Sequence, residues 1–209
     1  MIYEYPTLSD PIRQGDIFIG LPRIDLSLSR VLVVKEDEPV EMSWSDISKS
    51  GEPVTALVGV RPVAAIVASQ DCDVTNGRDV TLCEIREFRQ VEGKAKETKT
   101  AKSWKNIITQ HARINLKWFY LPPDVKVGFA EKMGVDFMIT LRVPRADLNS
   151  LLSLRKGRLN SIADEHFRER LSEFYRRYPY DEWYGLDKDE LKTYVEDYPD
   201  ITPFPWQAQ

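Results

Sequence analysis

The run Val63-Ala64-Ala65-Ile66-Val67-Ala68 constrains this chain more than any other feature. Six small or β-branched apolar residues in succession suit a strand buried on both faces. Arg61-Pro62 leads into the run, and Ser69-Gln70-Asp71-Cys72-Asp73 follows it. A buried strand is rigid, so polar groups at its two ends hold fixed positions, as a site requires.

The segments around it read mostly as strands. Residues 1–15 form an extended lead-in with Pro6 and Pro11. Residues 16–21 alternate apolar with other residues after a turn at Gly15, and 30–35 make a second strand. The polar stretch 36–52 reads as a loop with one helical turn, and 53–58 as a third strand. Asn76-Gly77 is the strongest turn signal in the chain. Residues 79–87 alternate again, which predicts an antiparallel pair with 62–70 and a loop carrying Asp71, Cys72 and Asp73 at its base. Further strands are expected over 117–121, ended by Pro122-Pro123, and over 136–143. Ser103 is a candidate N-cap for a short helix over 104–113. Ile162, Phe167, Leu171, Phe174 and Tyr175 recur at helical spacing, so 162–178 reads as an amphipathic helix, with Asp187 capping a second over 188–197. Strands first and helices last argue an α+β fold, a small β-barrel or strongly curved antiparallel sheet with a C-terminal helical element. The expected division is a barrel-like domain over 1–145, with a helical, basic insertion near 93–115, and C-terminal helices with a Pro/aromatic tail over 146–209.

A chain of 209 residues with an apolar fraction of 42% can bury a real core. No apolar run approaches the roughly 20 residues that span a bilayer, and the mixed, acidic start is unlike a signal peptide. Two cysteines, Cys72 and Cys83, make no disulfide framework, so reduced thiols and a cytoplasmic setting are expected. The net charge is −4, yet it is unevenly spread. Residues 86–117 carry nine Lys and Arg to three Glu, and 160–209 carry six to twelve Asp and Glu. The segregation suits a polyanion-binding surface, two segments that face each other, or ordinary solvated faces.

Arg13-Gln14-Gly15-Asp16-Ile17-Phe18 resembles the opening of the MazF/PemK-like toxins, whose first strand begins with a Gly-Asp pair. Gly59-Val60-Arg61-Pro62-Val63 through Ile66 is similar to their second signature, an Arg-Pro at the head of a buried strand, and 79–85 to the strand that follows. The resemblance covers residues 13–87. It implies an SH3-like barrel, commonly dimeric, with an antitoxin partner and cleavage of single-stranded RNA without a metal or other cofactor. It gives Arg61 the role of proton transfer and phosphate stabilisation, for which a forked, permanently charged guanidinium is suited. The family also places a hydroxyl near the end of the next strand. A gapless reading puts that position near Arg86, while Thr81 lies earlier on the strand.

The remaining candidates come from the residues themselves. Asp71 and Asp73, two apart at a strand end, would share a face and could hold a cation or a proton, or simply shape the loop through Asx bonds. Ser69 and Gln70 complete that substrate-binding stretch. His111 and His166 are too few and too distant for a zinc site, and no metal is expected. Cys72 has carboxylate neighbours, which oppose thiolate formation, and Cys83 reads as packing. Lys102, Lys105, Trp104 and His111 in the basic segment are candidate phosphate and base contacts, although such aromatics also serve cores. Two functions follow as expectations. One is a MazF-like barrel that binds single-stranded RNA, with metal-independent cleavage through the ribose 2′-hydroxyl as a further step. The other is a non-catalytic protein-interaction or regulatory module of a bacterial defence or toxin-antitoxin system, with a protein partner or a homodimer.

Overall fold

The order of strands in space explains why the run 63–68 is so apolar. In a computed structural model, which describes residues 2–91, 117–176 and 196, the run lies in the middle of an antiparallel sheet. The strands are β1 (Tyr3–Glu4), β2 (Asp16–Asp25), β3 (Val31–Lys35), β4 (Glu38–Met42), β5 (Ala56–Leu57), β6 (Gly59–Val67), β7 (Asp79–Glu87), β8 (Trp118–Leu121), β9 (Met133–Pro144) and β10 (Arg155–Leu159). The seven-stranded sheet has the order β1-β10-β2-β6-β7-β9-β8, so β6 is its central strand. It curls into a half-barrel. The register slips between Ile19 and Leu21 on β2 and between Cys83 and Glu84 opposite β9, and such bulges add twist and curl. A second, three-stranded sheet has the order β4-β3-β5.

Side chains alternate across the sheet with period two and build a cluster on each face. Ile17, Ile66, Cys83, Ile85, Val135 and Phe137 face one way and meet Ala163, Phe167 and Phe174 of α4 (Ser161–Arg176). Phe167 is fully buried between Phe119 and Phe137, with ring centroids 5.3 and 5.7 Å away. Burial of one such ring contributes about 1.5–3 kcal/mol. Phe18, Leu21, Val63, Ala65, Val67, Val80, Leu82 and Leu141 face the other way, covered by Ile12, by Val74 of α2 (Asp71–Asn76) and by Leu148 of α3 (Arg145–Ser150). α1 (Trp44–Ile47) closes the small cluster Val31, Val33 and Ile47 under the second sheet.

Several expectations are corrected. Asp71 and Asp73 stand in the first turn of a helix, where carboxylates favour the N-terminal end. Residues two apart on a helix do not share a face, so these two carboxylates do not form a pair. Asn76-Gly77 ends that helix and makes no hairpin turn, since Gly77 has φ −72°. Glycine is needed there by proximity, because a Cβ would stand 2.5 Å from the Asp73 carbonyl oxygen. Part of the polar stretch 36–52 is strand β4, with Glu36 and Asp37 in left-handed conformation turning β3 into it. β10, inside the segment expected to be helical, pairs with β1 and β2. The chain divides into compact units Met1–Phe174 and Tyr175–Gln209, and both sheets lie in the first. The expected helices over 104–113 and 188–197, the basic insertion and the Pro/aromatic tail fall outside the described residues, Glu196 excepted.

A buried ion cluster fastens β10 and the lead-in. Asp16 has no exposed surface, and its carboxylate accepts from Arg155 at 3.0 Å and from Arg158. Arg155 also donates to the carbonyls of Thr7, Asp10 and Pro11, so the extended lead-in closes over it. Removing one member leaves the others uncompensated in a dry place. Asp16→Ala is expected to cost about 3–5 kcal/mol in urea unfolding, with Arg155 left buried and unpaired.

Candidate functional site

β2 and β6 run on beyond the sheet as a two-stranded ribbon, and this positions Arg61. Pairing of β6 with β7 spans Ala64–Val67, whereas pairing with β2 continues to Gly59. Pro62, which has no N–H to give, therefore sits where the β7 side is open, opposite Pro22. One residue further, Arg61 stands directly opposite Arg23. Like charges in that relation repel unless something neutralises them.

Two carboxylates do so. Asp25 forms an ion pair with Arg23, Oδ1 lying 2.9 Å from Nε, and accepts from Arg61 Nε at 2.7 Å through Oδ2. Glu84 accepts from Arg61 Nη2 at 3.1 Å through Oε1 and from Arg23 Nη1 through Oε2. The four groups thus close a ring of alternating charge. Hydrogen bonds that Arg61 donates to Asp25 and Glu84 hold its guanidinium above its usual pKa, and the one Asp25 accepts from Arg61, with the charge of Arg23, holds the Asp25 carboxyl below the ordinary carboxylate range. Glu84 is 3% exposed at its side chain, while Arg61 and Asp25 keep 46% and 48%.

Glu84 in turn lies directly opposite Asp136 of β9, which is also buried. Asp136 accepts from the Met138 N–H and has Arg86 Nη1 and Lys117 Nζ each 3.7 Å away. The cross-sheet row Phe18, Ala65, Glu84, Asp136, Trp118 therefore carries two adjacent buried carboxylates. Arg23 and Arg61 stand on one side of them, Arg86 and Lys117 on the other. Four partly exposed cations face three carboxylates, two of them buried, so the outer surface of this patch is cationic.

Of the expected site residues, the structure brings Arg61 and Arg86 to this patch. Thr81 shares its face with Cys83, turned away from Glu84, and its backbone N–H and C=O bracket Ser69, with Ser69 Oγ accepting at 2.9 Å. Ser69, Gln70, Asp71 and Asp73 gather at the opposite end of β6. There the Asp71 carboxylate accepts from the Gln14 N–H at 2.8 Å, and Gln14 Nε2 donates to the Ala68 carbonyl. Arg168 pairs with Asp164 at 2.6 Å and approaches Asp71 at 4.0 Å. Gln14 Oε1 and Asp164 Oδ1 are buried and accept no hydrogen bond among the described residues. Burial, with the Asp71 charge nearby, raises the Asp164 pKa despite Arg168. Lys102, Lys105, Trp104 and His111 lie outside the described residues.

Sequence reasoning missed Arg23, Asp25, Glu84, Lys117 and Asp136. The available signal was Glu84 itself, a charged residue at an inward position of an otherwise apolar strand, which demands a partner. Among the described residues no three His, Cys, Asp or Glu side chains gather as a metal would require. No protein-family model matches this chain, and no curated protein matches it either.

Two measurements check this description. Cys72 is exposed, whereas burial pushes the Cys83 thiol up to about 12. A chromogenic disulfide reagent is expected to titrate one thiol in the native protein at pH 8 and two in denaturant. Asp164 binds its proton more tightly folded than unfolded, so its ionisation costs stability as pH rises through the raised value. Asp164→Asn is expected to raise Tm at pH 7, with the gain vanishing below about pH 4, where both states are protonated.

Proposed function

We propose that this protein binds the sugar-phosphate backbone of single-stranded RNA on the face formed by Arg23, Arg61, Arg86 and Lys117. The observation that carries the reading is the exposure of Arg61. Nearly half of its side chain remains open although two carboxylates hold it in place. A guanidinium fixed in this way offers its free donors to phosphate oxygens with little ordering cost. Arg86 and Lys117 extend the positive surface across β7 and towards β8.

Binding is better supported than cleavage. Transfer to the 2′-oxygen needs an acceptor that can reach the ribose. Glu84 and Asp136 are buried, and each oxygen of Asp25 and Glu84 is already paired with an arginine. A second reading, a module that docks a protein partner, is favoured by apolar side chains near the same ribbon. Ile24 and Val60, opposite each other on its other face, are 60% and 58% exposed, and Leu26, Leu28, Leu32 and Leu57 are exposed as well.

The test is fluorescence anisotropy with labelled oligouridylate across a salt series. Lys117→Ala leaves the partners of Glu84 untouched and is expected to lower the salt slope by about 0.7, the share of one phosphate contact on a single strand. Arg61→Ala is expected to weaken binding about tenfold, with circular dichroism to check folding. The reading falls if the wild type does not bind, or if both variants bind as well as it does. Intact RNA on a denaturing gel is the expected accompaniment.

A further inference from the structure

The two carboxylates of the charge ring are not equivalent. Glu84 sits in mid-strand between β6 and β9, and it is 3% exposed. It cannot leave without opening the sheet. Asp25 is the last residue of β2, 48% exposed, and it leads into an exposed connection through Leu26 and Leu28. Its side chain can swing into water at small cost. Yet its two oxygens occupy the Nε edges of both arginines, one on each, as two non-bridging oxygens of a phosphodiester would.

We propose that Asp25 is a resident stand-in for the ligand. A phosphodiester enters by taking its place between Arg23 and Arg61, and the displaced carboxylate turns to solvent. This rests on the anion-binding face described above and specifies how that face is occupied. The exchange keeps the ring at alternating charge: one singly charged anion leaves and one arrives, while Glu84 continues to hold both guanidiniums from below. Free arginines in that relation would repel each other, so the carboxylate keeps the ribbon together until the ligand substitutes for it. The cost is competition. The arginines hold Asp25 in its charged form across the ordinary pH range, so it opposes every incoming anion. Displacement also favours ligands that bring several phosphates, since an isolated phosphate gains only what Asp25 loses.

The experiment measures binding of labelled oligouridylate, and of inorganic tripolyphosphate by calorimetry, to the wild type, Asp25→Asn and Asp25→Glu. Asp25→Asn removes the competitor and keeps its shape, and it is expected to bind both probes roughly three- to tenfold more tightly. Asp25→Glu retains the charge and is expected to bind like the wild type. Thermal unfolding of all three checks that the half-exposed substitution leaves the fold intact. The inference is overturned if Asp25→Asn binds no better than the wild type, or worse, which would make Asp25 a positioning residue. It is equally overturned if Asp25→Glu gains as much as Asp25→Asn. Oligouridylate binding that is the same for wild type and Asp25→Asn sinks the displacement idea and leaves RNA binding standing. A gain for tripolyphosphate without RNA binding by either protein does the reverse. Absence of binding to both probes in every variant overturns both.

Discussion

Two like-charged pairs stand side by side on one face of the central sheet, Arg23 opposite Arg61 and Glu84 opposite Asp136. Each alone would strain the strands that carry it. Together they cancel, because the guanidiniums of the first pair reach Glu84 and the cations Arg86 and Lys117 flank Asp136. The compensation ties four strands to one arrangement. β2 and β6 supply the arginines, β7 and β9 the carboxylates. A slip of one residue in any of these pairings would turn a charge to the other face and leave its partner buried and unpaired. The polar cluster therefore specifies register where the small side chains of Ala64 and Ala65 specify little.

The same logic operates at the other margin of the sheet. Asp16 opens β2 with no exposed surface, and the two arginines of β10 neutralise it. Arg155 uses its remaining donors on three lead-in carbonyls and Arg158 adds a bond to that of Pro11, so a segment with two prolines and little regular structure is held by the arginines of β10. Buried ion pairs seldom add much net stability over a well-packed apolar core, and their value here is positional. They decide which strand lies beside β2.

What was legible in the sequence divides along physical lines. The β6–β7 pair, the strands at 118–121 and 133–144 and the helix over 161–176 follow from apolar periodicity, a property of each segment alone. β10 was invisible because Arg155-Lys156-Gly157-Arg158-Leu159 has polar residues where a strand ordinarily shows apolar ones. Its buried members are Arg155, Gly157 and Leu159; the arginine makes sense only beside Asp16, and the glycine only against Val127, 2.9 Å from where a Cβ would stand. β4 was hidden for a related reason, since Glu38-Pro39-Val40-Glu41-Met42 leaves most of its surface exposed and carries a weak pattern. The site was half legible. Arg61 was singled out by its place before a buried strand, but Arg23, Asp25 and Asp136 acquire their meaning through cross-strand register, which no local pattern encodes.

That register also separates two features that looked continuous in the chain. Arg61 and the Ser69–Asp73 stretch bracket one buried strand, and on paper they suggest a single site. Six residue steps of strand from Arg61 to Val67 span about 20 Å. The arginine ring therefore lies far from Asp71, whose partners are the Gln14 N–H and Arg168. Rigidity, which made the flanking residues attractive as site builders, is also what keeps them apart. β6 thus holds two charge centres at fixed separation. The one with half-exposed cations turns them to solvent, while the one with buried oxygens secures the lead-in of β2 to the first turns of α2 and α4.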